Sequence, residues 1–260
     1  MLAFTGDIMS FMINDIGVDL TPPSLQAIDA ETIVLRIPSF MGQSKSVIDS
    51  LIVWHQKELS EITNLIIDIR GNSGGNDASF EKLIPYIITN KIVDDQGYII
   101  VSDKTTEHYK NDFNDEELAQ IKKLKGKLVP IGKATTSRAT YLKEKTYVTV
   151  PLKESPENVA IIIDHKVGSS AEQFLYYAKQ SRKVKLFGEN TLGTLDCTNP
   201  EFFDGNINVT IPTMISSRFW HKAAIENIGI QPDYYLIDMK QALKETLEII
   251  AAWNKCDVQN

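Results

Sequence analysis

Residues 164–174 read Asp-His-Lys-Val-Gly-Ser-Ser-Ala-Glu-Gln-Phe. Apolar residues recur at Ala171, Phe174, Leu175 and Ala178, so a helix packed on a sheet starts here, with Ser169 at or just before its N-terminus. A serine at that point is a candidate nucleophile, because negative charge created by its attack develops beside the positive helix end. Ser169 with Glu172 three positions on is equally the pattern of a capping box, in which the serine does nothing but cap. A second junction, Asp68-Ile69-Arg70-Gly71-Asn72-Ser73-Gly74-Gly75, places paired glycines after an apolar run. Glycines let a backbone turn sharply and present amide N–H groups to a crevice, where they hold a phosphate or an oxyanion. An ordinary tight turn has the same composition. Neither a GxGxxG nor a Gly-Lys-Ser/Thr follows, which excludes dinucleotide and P-loop readings.

The elements that must position these junctions alternate between strand and helix. TIVLRI (32–37), LIIDIR (65–70), NVAIIID (158–164), VKLFGE (184–189) and DYYLID (233–238) read as strands, the second as a run buried on both faces. Residues 44–62 carry a helical stripe of Ile48, Leu51, Ile52, His55, Leu59 and Ile62, and further helices fall around 80–88, 169–181 and 239–253. This order predicts an α/β domain on a mainly parallel sheet flanked by helices. Residues 92–150 break the pattern: GYIIVSD (97–103) and KTYVTVPL (145–152) look like strands around a charged, helix-prone stretch at 104–128. They are expected to form a lid-like insertion over one edge of a core spanning 31–253, with 1–30 as a linker or remnant and 254–260 as a tail.

Composition narrows the partners. The chain has 260 residues, 27 Lys plus Arg against 34 Asp plus Glu, and a net charge of −7, with no basic stripe; nucleic acid is not an expected partner. No apolar run approaches the roughly 20 residues of a membrane helix. Residues 1–14 lack the basic start and cleavage site of a signal peptide. The two cysteines, Cys197 and Cys256, form no CxxC, and His55, His108, His165 and His221 form no metal-binding pair, so neither metal nor cofactor is expected.

LIIDIRGNSGG, VAIIIDHKVGSSAEQF, VKLFGENTLGT and ENIGIQPD, in that order over about residues 30–240, together resemble the core of the C-terminal-processing (tail-specific) and tricorn-like serine peptidases. That resemblance implies a ClpP/crotonase-like fold, a peptide or unfolded-protein substrate and an extracytoplasmic setting; the oligomeric state stays open. It implies Ser169 as nucleophile, and an oxyanion hole from the amide of Ser170 and that of Gly74, with Gly75 as second choice. The processing branch places a lysine base 25 residues after the nucleophile. Gly188, Glu189, Thr191 and Gly193 fit its motif, but the lysine position holds Thr194. The tricorn-like branch uses an upstream histidine and a late acid; Glu226 matches the acid, and no histidine precedes His55. His221, near Glu226, is the leading substitute, with His165 as runner-up. His55 reads as a packed core residue, His108 as solvated, and Arg218 as either lining the substrate path or lying on the surface.

The expected function is therefore a serine peptidase core acting through an acyl-enzyme at Ser169, slow for want of its base. A longer precursor carrying an upstream histidine is expected to be the active form. The alternatives are a non-catalytic module binding peptides or apolar ligands in the same cleft, and a crotonase-like acyl-CoA enzyme, against which Ser169 and the GENTLGT segment argue.

Overall fold

The computed structural model describes residues 21–95, 97–131, 145–148, 153–198, 201–204, 207–210, 212–219 and 222–257. Two compact units divide the chain. The first comprises residues 1–90, 150–193 and 228–260; the second comprises residues 91–149 together with 194–227.

The first unit is built on six strands: β1 (Ser24–Ala27), β2 (Thr32–Arg36), β3 (Asn64–Asp68), β4 (Asn158–Ile163), β5 (Val184–Gly188) and β6 (Tyr234–Tyr235). They lie side by side in chain order, all parallel except β1, which pairs antiparallel with β2. The central strands are apolar and β-branched on both faces, as a strand covered on both sides must be. Leu35, Ile67, Ile161 and Leu186 form one row across β2–β5, each at most 1% exposed. Val34, Ile66, Ala160, Ile162 and Phe187 point the other way.

Helix α1 (Ser44–Trp54) joins β2 to β3, and α2 (Ser170–Ala178) joins β4 to β5. Right-handed crossovers put both on the same face of the sheet. Helix α3 (Ala242–Asp257) closes the opposite face, where Ala242 and Ile250 are buried against the second row and Leu243, Leu247 and Trp253 pack beside them. Each fully buried aliphatic side chain contributes about 1.5–3 kcal/mol relative to an exposed one. This is the mainly parallel, helix-flanked α/β architecture expected from the strand pattern.

The stripe read as one helix over 44–62 is interrupted. α1 ends at Trp54, and His55, at φ −105° and ψ 22°, starts a separate turn over Gln56–Leu59. His55 is consequently not a packed core residue; it is half-exposed, with Nδ1 3.7 Å from Glu58 Oε1.

The second unit has a four-stranded antiparallel sheet in the order Cys197–Thr198, Met214–Ser216, Gly97–Ile100, Leu128–Ile131. Two short helices, Asp103–His108 and Asp115–Lys122, are each fixed by a capping box, from Ser102 with Thr105 and from Asn114 with Glu117. Ile99, Val101, Phe113, Ile121 and Val129 form its core. Two-stranded ribbons pair Ile92–Asp95 with Lys145–Val148, and Glu201–Asp204 with Ile207–Thr210. Among the described residues, no helix is long and apolar enough to cross a membrane.

Candidate active site

Strands β3 and β4 are parallel neighbours, so their C-terminal loops emerge together. This brings the two glycine-bearing junctions, about a hundred residues apart in sequence, against each other. The link is continuous: Ile69 N donates to Ile162 O (3.1 Å), Gly71 N to Asp164 Oδ1 (3.0 Å), and Gly168 N to Asn72 O (3.1 Å). An ideal Cβ built on Gly74 would lie 2.8 Å from Ser169 Cβ and 2.9 Å from Ser170 N, so only a glycine allows this approach.

Ser169 is exposed at the N-cap of α2, with φ 52° and ψ −124°. A serine held at positive φ stores on the order of 1–3 kcal/mol and persists only where the surroundings enforce it. Its side chain makes no cap hydrogen bond. The capping box that S-x-x-E suggests is therefore not formed, because Glu172 is used elsewhere. Fully buried, Glu172 accepts through Oε1 from Thr191 Oγ1 (2.5 Å) and Gly193 N (2.6 Å). Thr191 Oγ1 accepts in turn from Ile230 N (2.7 Å). The glutamate thus pins the GENTLG segment to the helix that starts at Ser169.

The two glycine amides are not equivalent. Gly74 N donates to Asn72 Oδ1 at 3.0 Å. The N–H groups of Gly75 and Ser170 have no acceptor among the described residues. Ser170 Oγ donates to Gly75 O (3.0 Å), so its hydroxyl ties the glycine loop to the helix. The Oγ of Ser73 is buried and has no partner among the described residues.

His165, in the turn after β4, is exposed and has Nδ1 3.1 Å from Glu189 Oε2. Lys166 and Lys185 are exposed, and His108 is exposed with its ring edge-on to Tyr109. His221 lies outside the described residues, and the side chains of Cys197 and Cys256 are likewise not described.

Glu226 belongs to the second unit, where its segment is held by buried charge. Asp196, fully buried, accepts from Ile225 N (2.6 Å) and Glu226 N (3.0 Å) through Oδ2, and from Arg218 Nε through Oδ1. Arg218 Nη1 reaches Asp95 Oδ2 at 3.0 Å. Arg218 is 4% exposed. It neither lines a path nor sits on the surface, because two carboxylates from distant segments enclose it. Sequence reasoning gave Asn72 no role, read Glu172 as a capping-box partner, and missed Asp196 and Asp95. Only Asn72 and Glu172 carried a signal, by standing inside the two motifs.

A mainly parallel α/β sheet thus brings a strained serine at a helix start against a glycine loop. The chain belongs to Peptidase family S41, whose profile matches residues 31–236, and is thus a member of a serine protease family. Among solved structures, it is similar to a lipoprotein from Streptococcus agalactiae, at 20% identity and a TM-score of 0.55 over 92% of this chain and 73% of that one. It is also similar to mature CPAF complexed with lactacystin, at 18% identity and a TM-score of 0.58 over 88% of this chain. The match takes in 52% of CPAF, so this chain spans about half of that relative.

Proposed function

We propose that this protein hydrolyses peptide bonds through an acyl-enzyme at Ser169. The hydroxyl oxygen attacks the scissile carbonyl carbon, its proton passes to a base, and the carbonyl oxygen becomes an oxyanion. The amides of Gly75 and Ser170 take that charge in a site whose donors are already oriented, a contribution of about 3–4 kcal/mol per donor. The leaving amine takes the proton back, and water repeats the sequence to release the acyl group. Glu226 is the acid of this reading and His221 the base it orients. Unfolded protein is the substrate class, and the lipoprotein among the structural relatives supports an extracytoplasmic location.

The observation that carries the reading is Ser169 itself, exposed, uncapped and held at φ 52° against the glycine loop. A fluorophosphonate probe tests it: labelling should map to Ser169 and vanish in Ser169→Ala. Labelling elsewhere, or none, removes the nucleophile. One observation favours a second reading, a non-catalytic peptide-binding protein. Thr194 stands where the processing branch has its lysine, and a hydroxyl takes no proton from serine at neutral pH. Casein hydrolysis separates the two, and His221→Ala against His165→Ala identifies the base.

A further inference from the structure

We propose that Asn72 is a positioning residue that decides which glycine amide serves the oxyanion hole; the inference rests on Ser169 being the nucleophile. A Gly-Gly turn offers two N–H groups, and glycine's freedom lets either peptide plane rotate toward the cleft. Asn72 removes that freedom. Its side chain is fully buried, and both ends are used: Oδ1 accepts from Gly74 N (3.0 Å), and Nδ2 donates to Ile37 O (3.1 Å) at the end of β2. Its backbone N–H donates to Ile69 O (3.0 Å), and its carbonyl accepts from Gly168 N (3.1 Å), next to the nucleophile. One residue therefore ties the end of β2, the turn after β3, the glycine loop and the serine turn.

The next peptide plane completes the argument. Gly74 O accepts from Phe40 N (3.1 Å). In a trans peptide the following N–H points opposite to that carbonyl, so the Gly75 N–H points away from Phe40. With the Gly74 amide consumed by Asn72, Gly75 is the glycine donor left beside Ser170. This inverts the order of preference that the motif suggests. An ideal Cβ on Gly75 would lie 2.5 Å from Phe40 C and O, so only a glycine fits against Phe40 in this conformation.

The test compares wild type, Asn72→Ala and Asn72→Asp in two ways. Amide hydrogen exchange by NMR, which needs no activity, should show Gly74 protected and Gly75 fast in wild type, with Gly74 protection lost in Asn72→Ala. Fluorophosphonate labelling of Ser169 should slow by about 100-fold in Asn72→Ala, the scale of one lost oxyanion donor. Peptide cleavage should lose kcat with KM held, which a merely loosened fold would not produce. Aspartate keeps an oxygen for the Gly74 amide, so Asn72→Asp should retain part of that protection and label faster than the alanine variant. The proposal is overturned by a protected Gly75 with a fast Gly74 in wild type, or by a folded Asn72→Ala protein that labels at the wild-type rate. If wild type is not labelled at all, the serine reading falls, and the exchange pattern still decides whether Asn72 selects the amide.

Discussion

The segment that carries Ser169 and the segment that carries Glu226 are held in place differently: only the second is built around a buried ion cluster. Around Ser169 the fixing groups are mostly neutral, namely the Asn72 amide, the Ser170 hydroxyl and main-chain bonds, joined by two carboxylates, Asp164 on Gly71 N and the buried Glu172 on Thr191 and Gly193, neither of which is paired with a cation in these bonds. Around Glu226 they are charged: Asp196 and Asp95 enclosing Arg218, with Asp196 also taking two backbone amides. A neutral hydrogen bond contributes about 1 kcal/mol net, so losing one misplaces a group without unfolding its unit. Removing one member of a buried ion cluster leaves an uncompensated charge and costs about 3–5 kcal/mol. The glycine loop is thus built to be precise, and the Glu226 segment is built to be all-or-none.

The largest expected effects lie on the neutral side and fall on activity. Ser169→Ala should abolish probe labelling. Because no cap hydrogen bond is lost, stability should stay within about 1 kcal/mol of wild type in a urea titration, and Ser169→Gly should gain about 1 kcal/mol by relieving the positive φ. A clear loss of stability in Ser169→Ala would show that the serine side chain has a structural role. Gly74→Val should reduce activity by orders of magnitude, since its Cβ would lie 2.8 Å from both Gly168 O and Ser169 Cβ at φ +103°. On the charged side the effect falls on stability. Arg218→Met should destabilise the second unit by about 3–5 kcal/mol, visible as early proteolysis within residues 91–149 and 194–227 while β2–β5 stay protected from exchange. Were Arg218→Met neutral to folding but damaging to activity, the contrast between the two regions would collapse.

The same contrast explains what the sequence made legible. The parallel sheet could be read because LIIDIR and NVAIIID are apolar on both faces and alternate along the chain with helical stripes. The two junctions could be read because glycine pairs and helix starts are local patterns. The Arg218 cluster could not. Its partners are 22 and 123 residues away, and an arginine between a serine and a phenylalanine looks like any surface charge. His55 misled for a different reason: helical spacing continues through Leu59 although the helix itself stops at Trp54. Ser169 and Glu172 marked the helix start but suggested the wrong relation, because a capping pattern specifies spacing and not which donors the glutamate meets. The strand Ser24–Ala27 also went unseen, since SLQA has no periodic signal and is formed by pairing with β2.

The smallest expected effect concerns a charge at the opposite end of the parallel strands. Lys183, at the N-terminal end of β5, is half-buried, with Nζ donating to Lys153 O at 3.3 Å. Burial lowers its pKa from 10.5 to about 8. The folded state therefore releases this proton more readily than the unfolded chain does. Between pH 8 and 10.5 the unfolded state binds more protons, so this residue makes stability rise with pH across that window. Below pH 8 both states are charged, and the folded state carries the full burial cost, on the order of 1 kcal/mol once solvent screening of a half-exposed amine is allowed for. Lys183→Met should accordingly raise stability at pH 7 by about that amount and flatten the pH dependence between 8 and 10.5, with Ser169 labelling unchanged. Urea titrations of both proteins at pH 7, 9 and 10.5 measure the difference. If it stays constant over that series, the amine is solvated in the folded protein and burial exacts no cost from its charge.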